Sequence, residues 1–279
     1  MFALRTLLRY PMSHQKRDFS AACCIIGDEI LNGKTRDSNA YFLAKYLFDL
    51  GIDLKRVETI PDEYDSIAET IQRLSSQHDL VFTSGGIGPT HDDITYAALA
   101  KAFHLPLKLD EETCVRMEKR SKEKFVDWTL TDARKRMAIF PEPSQKLRTG
   151  EDLWVPVVVV NENVHVLPGI PRLFEQLLQS LKPHFQTMVG KQSPYHRVQI
   201  ATKMTEGDIA SFLSDLQDEY TEKQIKIGSY PNWGEKDGAR VVVSVVGKDQ
   251  DLVDVVGSKI LDGISGWFTK GKKIIDPAI

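Results

Sequence analysis

The feature that most constrains this chain is a regular change of hydrophobic period between residues 21 and 83. A compact apolar run, Ala21-Ala22-Cys23-Cys24-Ile25-Ile26, ends at Gly27 and has the length and content of a buried strand. Residues 39–50 then place Phe42, Leu43, Tyr46, Leu47 and Leu50 at three-and-four spacing, with Gly51 where a helix C′ residue belongs. A second short strand (54–60), a second helix (63–77, with Ile67, Ile71 and Leu74 inward) and a third strand (79–83) follow. Strand, helix, strand, helix, strand predicts a parallel sheet with helical crossovers. The same unit continues with a helix at 94–103, two polar helical stretches within 110–137, strands at 153–160 and 164–167, and a helix opening at Pro171 toward Lys182. It closes near residue 187.

Residues 188–194 predict a linker, beyond which the order of elements changes. A strand (195–203), a helix (206–219), two strands (225–230 and 239–246) and a helix (252–264) predict a small α+β unit of ferredoxin-like type. The expected organisation is therefore a leader at 1–18, an α/β domain at 19–187 and the small domain at 195–279. In the leader, Arg5, Arg9, Lys16 and Arg17 precede the first carboxylate, Asp18, and Leu4, Leu7 and Leu8 fall at helical spacing. These are the properties of a mitochondrial presequence and predict a matrix location; a solvated tail on a cytoplasmic protein is the alternative.

Composition removes several classes. The 279 residues carry a formal charge of −3, without the basic excess of a nucleic-acid binder. No apolar run approaches the roughly 20 residues needed to span a bilayer. Cys23, Cys24 and Cys114 form neither a disulfide framework nor a zinc motif, since neighbours on a strand point to opposite faces. The absence of H-x-x-x-H, G-x-S-x-G and Walker motifs gives no support to zinc hydrolases, serine hydrolases or P-loop enzymes.

Four turns carry the candidate chemistry. Thr83-Ser84-Gly85-Gly86-Ile87-Gly88-Pro89-Thr90-His91-Asp92-Asp93 lies between a buried strand and a helix, where glycines admit close backbone approach and a helix start favours an anion such as phosphate. Asp92 and Asp93 would repel that anion unless a cation stood between them, the usual shell of Mg²⁺; an ordinary tight turn with Asp92 as cap is the other reading. Gly27-Asp28-Glu29-Ile30-Leu31-Asn32-Gly33 with Asp37, Ser38 and Asn39 follows the first strand, and Asp37 and Ser38 also fit helix caps. Pro61-Asp62-Glu63 ends the second strand, with Asp62 either an N-cap or a catalytic carboxylate. Leu167-Pro168-Gly169-Ile170-Pro171-Arg172 is a stiff strand-to-helix turn whose arginine suits a phosphate. All four sit at carboxyl ends of strands, the ligand edge of an open α/β sheet. In the small domain, Tyr230 and Trp233 in Gly-Ser-Tyr-Pro-Asn-Trp-Gly either stack on a flat ring or pack back on their own sheet.

Taken together, GDEILNG, the Asp37 to Asn39 motif, PDE, GGIGPTHDDIT and LPGIP resemble the MoaB/Mog and CinA-like molybdopterin-binding domain family over residues 20 to about 185. His91 and GSYPNWG further resemble the N-terminal half of eukaryotic FAD synthases. The resemblance implies a three-layer α/β domain followed by the small α+β unit. It also implies a metal-dependent nucleotide pyrophosphatase that cleaves FAD, or an ADP-ribose-type nucleotide, into two monophosphates. A non-catalytic flavin or pterin nucleotide module and a molybdopterin adenylyltransferase are the alternatives. FAD synthesis is not expected, because a separate adenylyltransferase domain would be needed. On this reading Thr83, Gly85, Gly86, Gly88, Pro89, Thr90, Asp37, Asn39, Pro168 and Gly169 bind the nucleotide. Asp28, Glu29, Asp92 and Asp93 hold Mg²⁺, Mn²⁺ or Co²⁺, and Asp62 and Asp93 act in catalysis. The family also carries an expectation of a homo-oligomer.

Overall fold

A computed structural model describes residues 18–150, 152–190, 193–232 and 238–269, so the leader and Trp233 lie outside the described residues. The chain opens with β1 (Ser20–Ile26), a single turn α1 (Asp28–Leu31), α2 (Asn39–Asp49), β2 (Asp53–Ile60), α3 (Tyr64–Gln77), β3 (Leu80–Ser84) and α4 (Thr95–Ala102). A lateral excursion follows: β4 (Leu107–Leu109), α5 (Glu111–Lys122), α6 (Asp132–Lys135) and β5 (Ile139–Pro141), in which β4 and β5 pair with each other. The chain then returns through β6 (Gln145–Leu147), β7 (Val157–Val160) and β8 (Val164–Leu167) to α7 (Pro171–Ser180) and α8 (Lys182–Val189).

The main sheet runs in the order β2-β1-β3-β8-β7-β6. Its first four strands are mutually parallel, while β7 and β6 are antiparallel to their neighbours. Strand alternation divides the core between the two faces. Ala21, Cys23 and Ile25 pack with Leu43, Leu47, Phe174 and Phe185 on one side. Ala22, Cys24 and Ile26 pack with Ile67, Ile71, Leu99 and Phe140 on the other. This is the expected three-layer α/β arrangement, and Cys23 and Cys24 do face opposite ways, buried and free like Cys114.

Two expectations need correction. The strand expected at 153–160 is only Val157–Val160, because Pro156 offers no N–H to a ladder. The helix opening at Pro171 ends at Ser180, and a second helix runs through Val189 before Gly190 turns left-handed (φ +63°). The linker expected from residue 188 therefore begins inside a helix.

The second unit comprises β9 (His196–Thr202), α9 (Glu206–Tyr220), β10 (Lys226–Pro231), β11 (Val241–Gly247), α10 (Gln250–Gly263) and β12 (Trp267–Phe268). Its strand order is β10-β11-β9-β12, all antiparallel, which is the ferredoxin-like arrangement expected, with one short edge strand added. Polar contacts join it to the first unit: Tyr195 donates its hydroxyl to Asp53 (2.5 Å), and Lys248 donates to Asp18 (2.6 Å) and the Gly51 carbonyl (2.8 Å). Among the described residues no helix is long and apolar enough to cross a membrane.

His165 on β8 titrates the stability of this core. Its ring lies against Phe82 and Phe185, with centroids 5.2 and 5.3 Å away, and Nδ1 donates to the Asn163 carbonyl at 3.1 Å. Burial pushes its pKa down from 6.5 to about 4. The unfolded chain therefore takes up a proton near pH 6.5 that the folded chain refuses until about pH 4, so this contribution is complete above 6.5 and is lost as pH falls toward 4. The loss amounts to about 3 kcal/mol for a shift of this size. Urea unfolding between pH 7 and 5 should show stability falling with pH, with a shallower slope in His165→Phe; equal slopes in the two proteins contradict the assignment.

Candidate active site

β2 and β3 flank β1 on opposite sides, so the chain reverses its direction of winding between β1 and β3. A crevice opens at the carboxyl ends of the strands at such a point. Here Gly27 N–H donates to the Ile60 carbonyl (3.1 Å) and Gly85 N–H to Leu167 (3.2 Å), which holds the turns after β1 and β3 beside the ends of their neighbours. A Cβ at Gly85 (φ +116°) would stand 2.1 Å from the Ile26 carbonyl oxygen, and one at Gly86 (φ +65°) would stand 2.3 Å from Thr95 Oγ1. Both positions require glycine. Thr95, wholly buried at the head of α4, donates its hydroxyl to Gly85 O (2.9 Å) and its N–H to Gly86 O (3.0 Å).

The resulting cleft has a volume of about 510 Å³. One wall is the Gly85 to Pro89 turn, with Pro168 and Gly169 beside it. Among the described residues the N–H groups of Gly86, Ile87 and Gly88 donate to nothing, so this wall carries three unpaired donors. Glu29, Asp62, Asp92 and Asp93 line the same cleft. The rest of the lining includes an apolar set: Met137, Trp154, Val155, Ile170 and Leu173.

Asp62 does not cap its own helix. The N-cap of α3 is Glu63, and Asp62 Oδ2 instead accepts the Asp28 N–H across the cleft floor at 2.9 Å. Burial pushes its carboxyl above the ordinary carboxylate range; the Asp28 N–H works against this, and the charges of Asp28, Glu29 and Asp92 push it further up. Its Oδ1 faces Gly86, where a Cβ would lie 3.5 Å away. Asp93 Oδ2 accepts both the N–H (2.8 Å) and hydroxyl (2.6 Å) of Thr90 and lies over Gly88, where a Cβ would be 2.6 Å from it.

The remaining expected residues take other places. Asp28 contributes its N–H to Asp62, but its side chain is not part of the cleft lining. Asp37 caps α2, accepting from Asn39 N–H (2.9 Å) and Ala40 N–H (3.3 Å). Asn39 is buried; its Nδ2 donates to Ser84 Oγ and to the Gly169 carbonyl, both at 2.8 Å, and so ties α2 to the β3 exit and the Pro168 turn. Thr83 corrects the expectation outright: it lies fully buried within β3, paired with Cys24 and Val166, and does not reach the cleft. Thr90 is exposed and holds Asp93 rather than lining the cleft. Arg172 is exposed outside the cleft lining. Tyr230 folds over Gly228 on its own strand, where a Cβ would be 2.9 Å from its hydroxyl.

No three His, Cys, Asp or Glu side chains among the described residues converge as a ready-made metal cage, so Asp28, Glu29, Asp92 and Asp93 are not assembled as one ligand set. The donor chemistry still fits a hard cation. Magnesium is commonly held by one or two carboxylates with water and substrate phosphate completing the shell, and four carboxylates face this cleft. The residues that sequence reasoning missed are Met137 and Trp154. They arrive from the lateral excursion and the loop before β7, where they pack with Cys114 and Met117, and no local pattern marks them.

These features define an α/β protein whose ligand crevice pairs free backbone donors with clustered carboxylates. The chain belongs to the family described as the probable molybdopterin-binding domain, whose model matches residues 22–187. A second model, the FAD synthase middle domain, matches residues 194–270. The resemblance read from the motifs is thereby borne out. A Caenorhabditis briggsae protein named probable FAD synthase is 35% identical over 243 residues, covering 81% of this chain and 46% of that protein. The chain thus spans about half the length of that relative. A protein of Pyrococcus horikoshii is 31% identical, covering 85% of this chain and 96% of the relative. The crystal structure of CinA from Thermoplasma acidophilum is 30% identical with a TM-score of 0.53, covering 60% of this chain and 98% of that one.

The close approach at Gly85 gives a direct test. Gly33 also has positive φ (+76°), but a Cβ there would meet nothing within 4 Å. Gly33→Ala should cost about 1 kcal/mol, while Gly85→Ala should cost several times more or prevent folding. Urea denaturation measures both; equal destabilisation would show that the Ile26 contact is not limiting.

Proposed function

We propose that this chain is a metal-dependent nucleotide pyrophosphatase that hydrolyses FAD to FMN and AMP. One observation carries the reading: three unpaired N–H donors and four carboxylates share a single cleft. The first group calls for an anion and the second for a cation, and a metal-bound pyrophosphate supplies both. The assignment of FAD draws on the Caenorhabditis relatives named probable FAD synthases and on the match to the FAD synthase middle domain.

In this mechanism the Gly86 to Gly88 donors bind phosphate oxygens and fix the phosphorus for attack. Glu29, Asp92 and Asp93 are the cleft carboxylates that would hold the cation together with phosphate oxygens and water, and Thr90 orients Asp93. The cation, when bound, neutralises charge developing on the bridging and non-bridging oxygens. Asp62 Oδ2 is fixed by the Asp28 N–H, which leaves Oδ1 to accept the proton of the attacking water. An upward-shifted carboxyl is the stronger base for that transfer. The water oxygen bonds to phosphorus, the bridging P–O bond breaks, and the two monophosphates leave. The apolar wall at Met137 and Trp154 accommodates a ring while limiting water.

Purified protein incubated with FAD and Mg²⁺, Mn²⁺ or Co²⁺ should yield FMN and AMP in equal amounts by chromatography. Asp62→Asn should lower turnover by about 10² to 10⁴, the usual worth of a general base. Asp93→Asn should abolish turnover with an unchanged far-ultraviolet circular dichroism spectrum. Saturable FAD binding without product under any metal would leave a non-catalytic flavin-nucleotide module. Transfer of AMP from ATP to a pterin, without FAD cleavage, would leave an adenylyltransferase.

A further inference from the structure

We propose that a second cavity, next to the cleft and sharing a wall with it, is the subsite for the flavin ring of the dinucleotide. This rests on the reading of FAD as the ligand and adds where its acceptor-rich end is recognised.

The cavity has a volume of about 660 Å³, and Trp154, Val155 and Leu173 line both it and the cleft. The two cavities are therefore adjacent, with Trp154 at their boundary, and a ligand whose pyrophosphate lies on the Gly85 turn would reach the second by passing that ring. Compact sites for a single small molecule fall in the same size range as each cavity alone, so a dinucleotide with two ring systems is the ligand that needs both.

The two cavities differ in charge. The cleft is lined by Glu29, Asp62, Asp92 and Asp93, whereas the second cavity carries Lys124 and Arg172, with Gln176 and Thr149. The one carboxylate of the described lining, Asp152, is paired with Arg120 at 2.9 Å. Lys124 and Arg172 make no side-chain hydrogen bond or ion pair with any described residue. Thr149 is 5% exposed, and its hydroxyl is buried without a partner.

Ring chemistry decides between the two ends of FAD. Lysine and arginine only donate hydrogen bonds. The dioxopyrimidine edge of isoalloxazine presents two carbonyl acceptors flanking one N–H donor, a set that two cationic donors and the Gln176 amide oxygen can match, while adenine presents its amino donor beside single ring-nitrogen acceptors. A site with two donor-only heads and an amide suits the flavin. Trp154, at the boundary, offers a flat electron-rich face for an electron-poor ring.

Calorimetric titration with riboflavin, which carries no phosphate, and separately with AMP tests the assignment without requiring turnover. Arg172→Ala and Gln176→Ala, both at exposed positions of α7, should each weaken riboflavin by about tenfold, the scale of one charge-assisted or amide hydrogen bond, and leave AMP within about twofold. Inorganic phosphate should not compete with riboflavin. The proposal is overturned if wild type does not bind riboflavin, if both variants bind it normally, if AMP weakens in parallel, or if phosphate displaces it. The expected pattern in a protein that fails to cleave FAD would keep the subsite and remove the hydrolase reading, so the two failures are distinguishable.

Discussion

The site depends on one close approach of backbone to backbone, where the turn leaving β3 passes the last carbonyl of β1. Gly85 lies so near Ile26 that no side chain fits between them, and its N–H is meanwhile bonded to the end of β8. Three parallel strands are thereby fixed in register at the edge where ligands bind. Thr95 and Asn39 extend the constraint. The first holds both carbonyls of the glycine pair, and the second joins α2 to Ser84 and to Gly169. The donors of both side chains are satisfied locally, while the Asn39 Oδ1 is buried without a partner among the described residues.

That rigidity has an electrostatic consequence. The Gly86, Ile87 and Gly88 N–H groups are left without protein partners among the described residues, and four carboxylates line the cleft beside them. Asp62 registers the crowding most directly, since burial and three neighbouring acids all raise its pKa. A cleft built in this way is poorly suited to a lone anion or a lone cation. It is suited to the two together, and the acidic cluster that would hinder an anionic nucleotide then becomes the means of holding it.

Much of this was legible in the sequence because the periods are clean. The Val-rich and Cys-Cys-Ile-Ile runs specify a sheet buried on both faces, and the glycine turns can serve few purposes other than close approach. The elements that the sequence does not mark are those whose stability is not local. β4, β5 and β6 are three residues each, and β12 has two; such strands form only because a neighbour is already in place. Nearness to Gly85 in sequence places Thr83 in the site, yet it sits inside the ladder, two residues short of the turn. Asp37 and Asn39 illustrate the other limit: their spacing marked them as important, but a cap and a bridge serve the cleft without lining it. Trp154 is illegible for the opposite reason, since a single tryptophan carries no periodicity and its position between two cavities is set by the fold.

The central claim is that anion and cation enter this cleft as one unit. Calorimetric titration of Mn²⁺ in the absence and presence of a methylene-bridged, non-hydrolysable analogue of FAD tests it most directly. The account predicts weak Mn²⁺ binding alone, binding at least tenfold tighter with the analogue, and loss of that gain in Asp93→Asn. Mn²⁺ affinity that is the same with and without the analogue would contradict it.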